Sequence, residues 1–408
     1  MPGPVTAGSM GVVTPLSRAL AAAAALLAPL AVVQPARPAS GCASSVPYTA
    51  GEGGYDAYRI PAAVVTRRGT VLAFAEGRHD GAGDSGDIDV VLRRSADGGC
   101  TWGKLTVVAA GQGDTRGNPA PVVDPRTGAV VLVTSFNAGS ATEARIMRGE
   151  VAPGQGRRVF VQRSLDDGRR FTTPRDITAA VKPPRWRWFA TGPGHALALT
   201  RGPHAGRLLV PADHSTAPPP GSPDTGQEPR YYGAHALYSD DGGRTWRLGF
   251  TDDGHDGVTN ANETGAAQLP DGRLYFSSRD QHGSGPGHRL DAFSSDAGAT
   301  LDAPFAVQST LDDVPVVQGS VLQPPGAHAA PLLFSAPSVP TARRAMALWR
   351  STDGGRTFSR ALTLSGRPAA YSDLVPLGAH TAGLLYETGT NGPYERIEFR
   401  RLPARTTR

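Results

Sequence analysis

An all-β chain closed as a six-bladed β-propeller is the fold this sequence predicts, on three observations. A turn motif of the form Ser-x-Asp-x-Gly-x-Thr-aromatic recurs along most of the chain. Its 51 glycines and 36 prolines follow no collagen-like period, so they read as many tight turns between short strands. No long helical periodicity is present, and short apolar runs flank the motif copies instead.

The first copy is Ser95-Ala96-Asp97-Gly98-Gly99-Cys100-Thr101-Trp102. It recurs from Ser164 to Phe171, from Ser239 to Trp246, from Ser294 to Leu301 in a weaker form, and from Ser351 to Phe358. The first serines fall 55 to 75 residues apart. Each copy reads as a hairpin lock: the aspartate accepts backbone N–H groups across its own turn, glycine supplies a positive φ, and the aromatic packs beneath. Strands are expected at Ile88–Arg94 before the first copy and Ala345–Arg350 before the last. The stretch from Ala43 onward divides into six units of about 60 residues, each about four strands. Alternation from Arg396 to Leu402 predicts a strand able to close the ring. The lock aspartates Asp97, Asp166, Asp241 and Asp353 are fold devices, outside any catalytic set.

Residues 1–41 differ in kind. Arg18 precedes an uncharged, alanine-rich run to Val33, followed by the small residues Pro38-Ala39-Ser40-Gly41. That is the pattern of a secretory signal, which makes residues 42–408 the mature domain and predicts an extracellular protein. The run is short for a membrane span, and no later segment qualifies. Its removal takes Arg18 and Arg37, lowering the formal charge of +5 by two. Among the 41 basic residues only Lys104 and Lys182 are lysines, and the charge is spread out, with no basic helix. A nucleic-acid partner is not expected. Cys42 and Cys100 are the only cysteines, which excludes a Cys-rich zinc site. In an oxidising compartment they can pair, while Cys42 alone leaves a lipid anchor open. The histidines lack ligand spacing, so no metal or cofactor is expected.

A second set of motifs runs through the chain in order. Tyr58-Arg59-Ile60-Pro61 comes first, then Phe74-Ala75-Glu76-Gly77-Arg78 ahead of a Gly-rich loop holding Asp80, Asp84 and Asp87. Asn262-Glu263 lies just before Ser278-Arg279-Asp280. Arg343 precedes Tyr371-Ser372-Asp373, and Leu385-Tyr386-Glu387 closes the series. Together these motifs resemble those of the bacterial and animal exo-sialidases over almost the whole mature chain.

The resemblance implies a retaining glycosidase that removes terminal sialic acid from glycoproteins, glycolipids or oligosaccharides, acting as a monomer without a cofactor. Sialic acid bears a carboxylate on its anomeric carbon. Arg59, Arg279 and Arg343 would grip it, since the planar guanidinium binds carboxylate bidentately and stays charged. Arg344 is the alternative to Arg343. A carboxylate nucleophile would meet like-charge repulsion there, and the resemblance makes Tyr371 the nucleophile with Glu263 as its base. Asp84 would be the acid/base catalyst, with Asp80 and Asp87 as the other candidates in that loop. Glu387 would hold Arg59, and Arg78 would contact the sugar hydroxyls. Where many family members carry Asp-Pro, this chain has Asn118-Pro119, so Asn118 would meet a hydroxyl without adding charge. The segment Trp186–His195 resembles the loop facing the N-acetyl or glycerol arm, although core packing claims its tryptophans equally. The Pro-rich stretch Ala217–Pro223 reads as a surface loop. Competing readings are a hydrolase for a related nonulosonic acid such as Kdn, a sialidase releasing an anhydro product, and a carbohydrate-binding propeller without catalysis.

Overall fold

The computed structural model describes residues 42–253, 259–283, 287–325, 330–378 and 381–402. The predicted secretory segment, residues 1–41, lies outside them. Within the described residues the chain is almost wholly β, with only two one-turn helices, α1 (Glu143–Met147) and α2 (Thr178–Val181), and a 3-10 turn at Pro229–Tyr231. No helix among them is long and apolar enough to cross a membrane.

Strand β1 (Ser44–Thr49) stands apart in the chain order and is placed below. β2 (Ala57–Val65), β3 (Val71–Arg78), β4 (Ile88–Ser95) and β5 (Thr106–Ala109) form an antiparallel meander. β6 (Thr115–Val123), β7 (Val130–Asn137), β8 (Arg158–Ser164) and β9 (Arg175–Asp176) form the next. A single parallel residue pair, Ile88 with Thr115, joins these two into one eight-stranded sheet. A five-stranded sheet follows, of β10 (Trp186–Thr191), β11 (Leu197–Ala198), β12 (Leu208–Thr216), β13 (Tyr232–Ser239) and β14 (Arg247–Asp252). The next sheet holds β15 (Ala261–Gln268), β16 (Leu274–Asp280), β17 (Arg289–Ser294) and β18 (Ala306–Val307). After it come β19 (Ser320–Leu322), β20 (Leu332–Val339), β21 (Ala342–Ser351) and β22 (Ser359–Thr363). The final sheet has the order β1-β25-β24-β23, from β23 (Ala369–Gly378), β24 (Thr381–Thr388) and β25 (Arg396–Arg401). The strands expected at 88–94, 345–350 and 396–402 are therefore β4, part of β21 and β25.

Because side chains alternate across a strand, each meander offers an apolar face to the meander on either side. Leu72, Phe74 and Leu92 of the first meander pack on Val130 and Leu132 of the second. The second packs through Val131 and Val161 on Leu208 and Leu237. The pattern continues around to the last sheet, whose Val375, Leu385 and Phe399 pack on Tyr58, Ala73 and Val91 of the first. The layers thus close on themselves in a propeller-like ring.

The hairpin locks take the expected form. Asp97 Oδ1 accepts the backbone N–H groups of Cys100 and Thr101 at 3.0 and 2.9 Å, and Asp97 Oδ2 accepts the Thr101 hydroxyl at 2.7 Å. Gly98 and Gly99 have φ of 73° and 88°, and a Cβ on Gly99 would overlap the Phe399 ring. The Trp102 indole packs edge-on against Phe399 at 5.5 Å and donates to Ser45 Oγ at 2.8 Å. The other four copies repeat the serine–aspartate bond, at Asp166, Asp241, Asp296 and Asp353. All five lie on the outer hairpin of a meander. The final sheet has none, because its outer pair β25 and β1 comes from opposite ends of the chain and has no hairpin to lock. A disulfide between Cys42 and Cys100 ties β1 to the first lock instead, and leaves no free Cys42 thiol for a lipid.

One sequence expectation changes. Trp186–Thr191 is a strand, not a loop; its Trp186 is core, stacked on His214 at 3.7 Å. The reason is the alternation of Trp186, Trp188 and Ala190, whose apolar bulk finds burial within the five-stranded sheet. The stretch 217–223 carries no strand or helix, as expected of a loop.

Candidate active site

At one end of the ring, the starts of several innermost strands surround a polar cavity of about 240 Å³. That lies below the roughly 300–1,000 Å³ of drug-sized ligand sites, so it suits one sugar ring. Arg59, Arg78, Asp84, Asn118, Glu263, Arg279, Arg343 and Tyr371 all line it, gathered from five of the meanders. Arg344 does not; it is exposed and donates to Gly366 O. Asp80 and Asp87 do not line it either, and Asp87 accepts the Gly113 N–H at 2.9 Å.

Tyr371, at the inner end of β23, is 6% exposed and donates its phenol to Glu263 Oε1 at 2.5 Å. Burial, then the Glu263 charge, push its pKa above the ordinary tyrosine value, while Arg279, Arg59 and Arg343 oppose them. The three guanidiniums converge on this ring. Arg279 Nη1 donates to Tyr371 Oη at 3.1 Å and lies 2.7 Å from Glu263 Oε2. Arg59 and Arg343 lie 5.1 and 5.5 Å from the ring centroid. Burial is the largest single effect and costs these cations free energy, but the surrounding groups together, led by Glu387 for Arg59 and Glu263 for Arg279, outweigh it and keep both charged.

Each arginine is aimed by acceptors outside the cavity centre. Asn262 Oδ1 takes Arg279 Nε and Nη2 at 3.2 and 2.6 Å. Arg343 donates to Tyr394 Oη at 3.0 Å and to Val316 O at 3.2 Å. Glu387 takes Arg59 Nε at 3.3 Å and also the N–H of Ile60 at 2.9 Å. Ile60 has φ 57°, a strained value for a β-branched residue, at a bulge in β2. The same device recurs one meander on. Glu76 takes Arg78 Nε at 3.0 Å and the N–H of Asn118, which has φ 51° at a bulge in β6. Glutamates on second strands thus fix both an arginine and the bulge that points the next strand's residue inward.

Asp84 stands at the cavity rim with its side chain 63% exposed, 2.8 Å from Arg78 Nη1 and 3.2 Å from Arg59 Nη1. Burial raises its pKa, but Arg78 and Arg59 more than compensate, so it is held below the usual carboxylate value. Asn118 Oδ1 is occupied by Arg157 Nη1 at 3.2 Å.

Sequence reasoning missed several cavity residues. Arg157 lies 3.6 Å over the Trp188 ring, and Trp188 lines the cavity as Trp186 does not. Asp213 is 1% exposed, accepts from Asn262 Nδ2 at 3.2 Å, and is pushed well up by burial and by Glu263. Its signal was a lone acid following the apolar run Leu208-Leu209-Val210. Glu76, quoted within a motif, carried no assigned role.

Comparison with known proteins fits this geometry. A family model described as a BNR repeat-like domain matches residues 69–383. The chain is 33% identical over 360 residues to a sialidase of Micromonospora viridifaciens, covering 86% of this chain but only 52% of that one, about half its length. It is 31% identical to an exo-alpha-sialidase of Aspergillus fumigatus, covering 86% and 84% of the two chains. With mouse sialidase-2 the identity is 30%, over 85% and 92%. Among solved structures, a Hadza microbial sialidase superposes with a TM-score of 0.75 at 25% identity, over 90% of this chain and 69% of that one. The intramolecular trans-sialidase from Ruminococcus gnavus shares the fold, with a TM-score of 0.71 at 18% identity, over 89% and 98%. A repeat model matching most of the chain, and relatives of its own length at such identity, place it plainly: this chain belongs to the sialidase (exo-α-sialidase, neuraminidase) family.

Proposed function

We propose that this protein is a secreted, monomeric exo-α-sialidase that hydrolyses terminal sialic acid from glycoconjugates with retention, through a covalent intermediate on Tyr371. One observation carries this reading: the Tyr371 phenol donates to Glu263 at 2.5 Å beneath three converging guanidiniums. Arg59, Arg279 and Arg343 hold the substrate carboxylate, which sets the anomeric carbon against Tyr371 Oη. Because the phenol pKa is raised, the proton passes to Glu263 as the oxygen attacks, and the same guanidiniums stabilise the charge that develops.

Asp84 protonates the leaving oxygen and then activates water. Without substrate its carboxylate pairs with the Nη1 of Arg59 that faces the cavity, while Glu387 holds the Nε behind it. A substrate carboxylate on Arg59 weakens that pairing and raises the Asp84 pKa toward the protonated form an acid needs. The ring itself is read as six blades, the eight-stranded sheet counting as two. Face-to-face packing of Leu72, Phe74 and Leu92 on Val130 and Leu132, with only one joining residue pair, supports that count. Residues 1–41 direct export, and 42–408 form the enzyme.

The test is proton NMR of early turnover of an aryl α-sialoside. α-Sialic acid appears first from the wild type. Tyr371→Ala opens room for water beside Glu263 and releases the β anomer first and slowly, whereas Tyr371→Phe is poor by either route. A wild type that releases β first, an anhydro sugar, or nothing from any α-sialoside overturns the reading.

A further inference from the structure

We propose that the end of the ring opposite the catalytic cavity holds a second site, which binds a single-chain amphiphilic anion of the fatty-acid class. Side chains two apart on a strand share a face, and each residue advances about 3.3 Å. Along β23, Tyr371 faces the catalytic cavity and Val375 faces a different one of about 450 Å³. β2 and β6 behave alike: Arg59 and Asn118 line the first cavity, Val65 and Val122 the second.

Between the two cavities lies a buried polar partition. Asp373 accepts the N–H groups of Ala63 and His195 at 2.7 and 3.0 Å, the Ser320 hydroxyl at 2.9 Å, and meets His195 Nδ1 at 2.7 Å. Among the described residues neither Asp373 nor Ser320 leaves a buried side-chain oxygen without a partner, and His195 lines the second cavity.

Below it the walls are aliphatic: Ala63, Val122, Ala198, Ala267, Val321 and Val375, drawn from successive innermost strands. The volume falls within the range of small-ligand sites. At the rim, Gln268 is saturated: its Oε1 accepts the N–H groups of Thr200 and Arg201, and its Nε2 donates to Arg201 O and Gly272 O. The Arg201 guanidinium also lines the cavity and is half-buried, with no partner among the described residues. Aliphatic walls with one free guanidinium at the mouth match a ligand with an alkyl tail and a carboxylate head. The catalytic cavity, lined mainly by charged and polar groups, offers no such match.

Isothermal titration of the whole protein with hexanoate, octanoate and decanoate tests this. Saturable binding is expected, tightening about fourfold per added methylene, the factor that corresponds to burying one CH₂. Ala198→Phe projects a ring into the cavity and abolishes binding of octanoate and octanol alike. Arg201→Gln weakens octanoate about tenfold and leaves octanol unchanged. Both variants hydrolyse an aryl sialoside within about twofold of wild type, which reports an intact fold. The proposal is overturned by absence of saturable binding, by octanoate binding that survives Ala198→Phe, or by an Arg201→Gln effect equal for acid and alcohol.

Discussion

The carboxylate of Glu387 holds the backbone of Tyr371: its Oε2 accepts the Tyr371 N–H at 3.1 Å while its Oε1 serves Ile60 and Arg59. One fully buried anion therefore sets the strand of the proposed nucleophile, a strained bulge and one arm of the carboxylate grip.

Glu387→Gln places an amide N–H₂ against donors. Leaving Arg59 without its buried counter-charge is expected to cost about 3 kcal/mol of stability, read by chemical denaturation. A fall in kcat/KM of more than about tenfold accompanies it, because Arg59 and Tyr371 both lose their support. Unchanged stability would remove Glu387 from this role.

Arg279→Lys and Arg343→Lys keep the charge and lose the fork. Arg279 makes two bonds to Asn262 and one to Tyr371, which an ammonium cannot reproduce together. Losing charge-assisted bonds of about 1.5–3 kcal/mol predicts roughly a 10- to 150-fold drop in kcat/KM. Arg344→Lys, outside the cavity, stays at wild-type rates in the same steady-state assay.

Asp84→Asn separates substrates by leaving group. Natural glycans need protonation of the departing oxygen and slow by about 10²- to 10⁴-fold, while aryl sialosides with good leaving groups slow little. Asp80→Asn and Asp87→Asn show no such split, since neither side chain lines the cavity. A split at Asp80 instead would move the acid.

The hairpin locks predict acid sensitivity. At Asp97 and Asp241 burial disfavours the charged form, but hydrogen bonds within the turn outweigh it and hold each pKa at about 2. A carboxyl lowered on folding adds stability above its unfolded value near 3.9, and that stability is lost as pH falls through 2. The melting temperature should therefore drop between about pH 4 and pH 2. Asp241→Asn should lower it at pH 7 and reduce that drop. The carboxylates are partly solvated, so each lock contributes modestly.

The lock motifs were legible because each is self-contained: serine, aspartate and glycine lie within a few residues and bond to one another within the turn. Three arginines, Tyr371 and Glu263 were legible only through family spacing, since their convergence depends on meanders far apart in the chain. Arg157, Asp213 and Tyr394 carried no such spacing. Each is a single polar residue whose meaning arises from what faces it, Trp188 under Arg157 or Arg343 beside Tyr394. The Trp186–His195 segment was ambiguous because an aromatic that packs a core and one that faces a cavity look alike; the structure assigns Trp186 to the first and Trp188 to the second.

β1 leaves the ribosome early, and its partner β25 is made about 350 residues later. Until then β1 has an unpaired edge, and the first meander lacks the layer that covers Tyr58 and Val91. Ring closure is therefore a late, all-or-nothing event with very long-range contacts. A nascent chain cannot complete this fold before β25 is made, so the architecture itself keeps the unfinished protein from locking early.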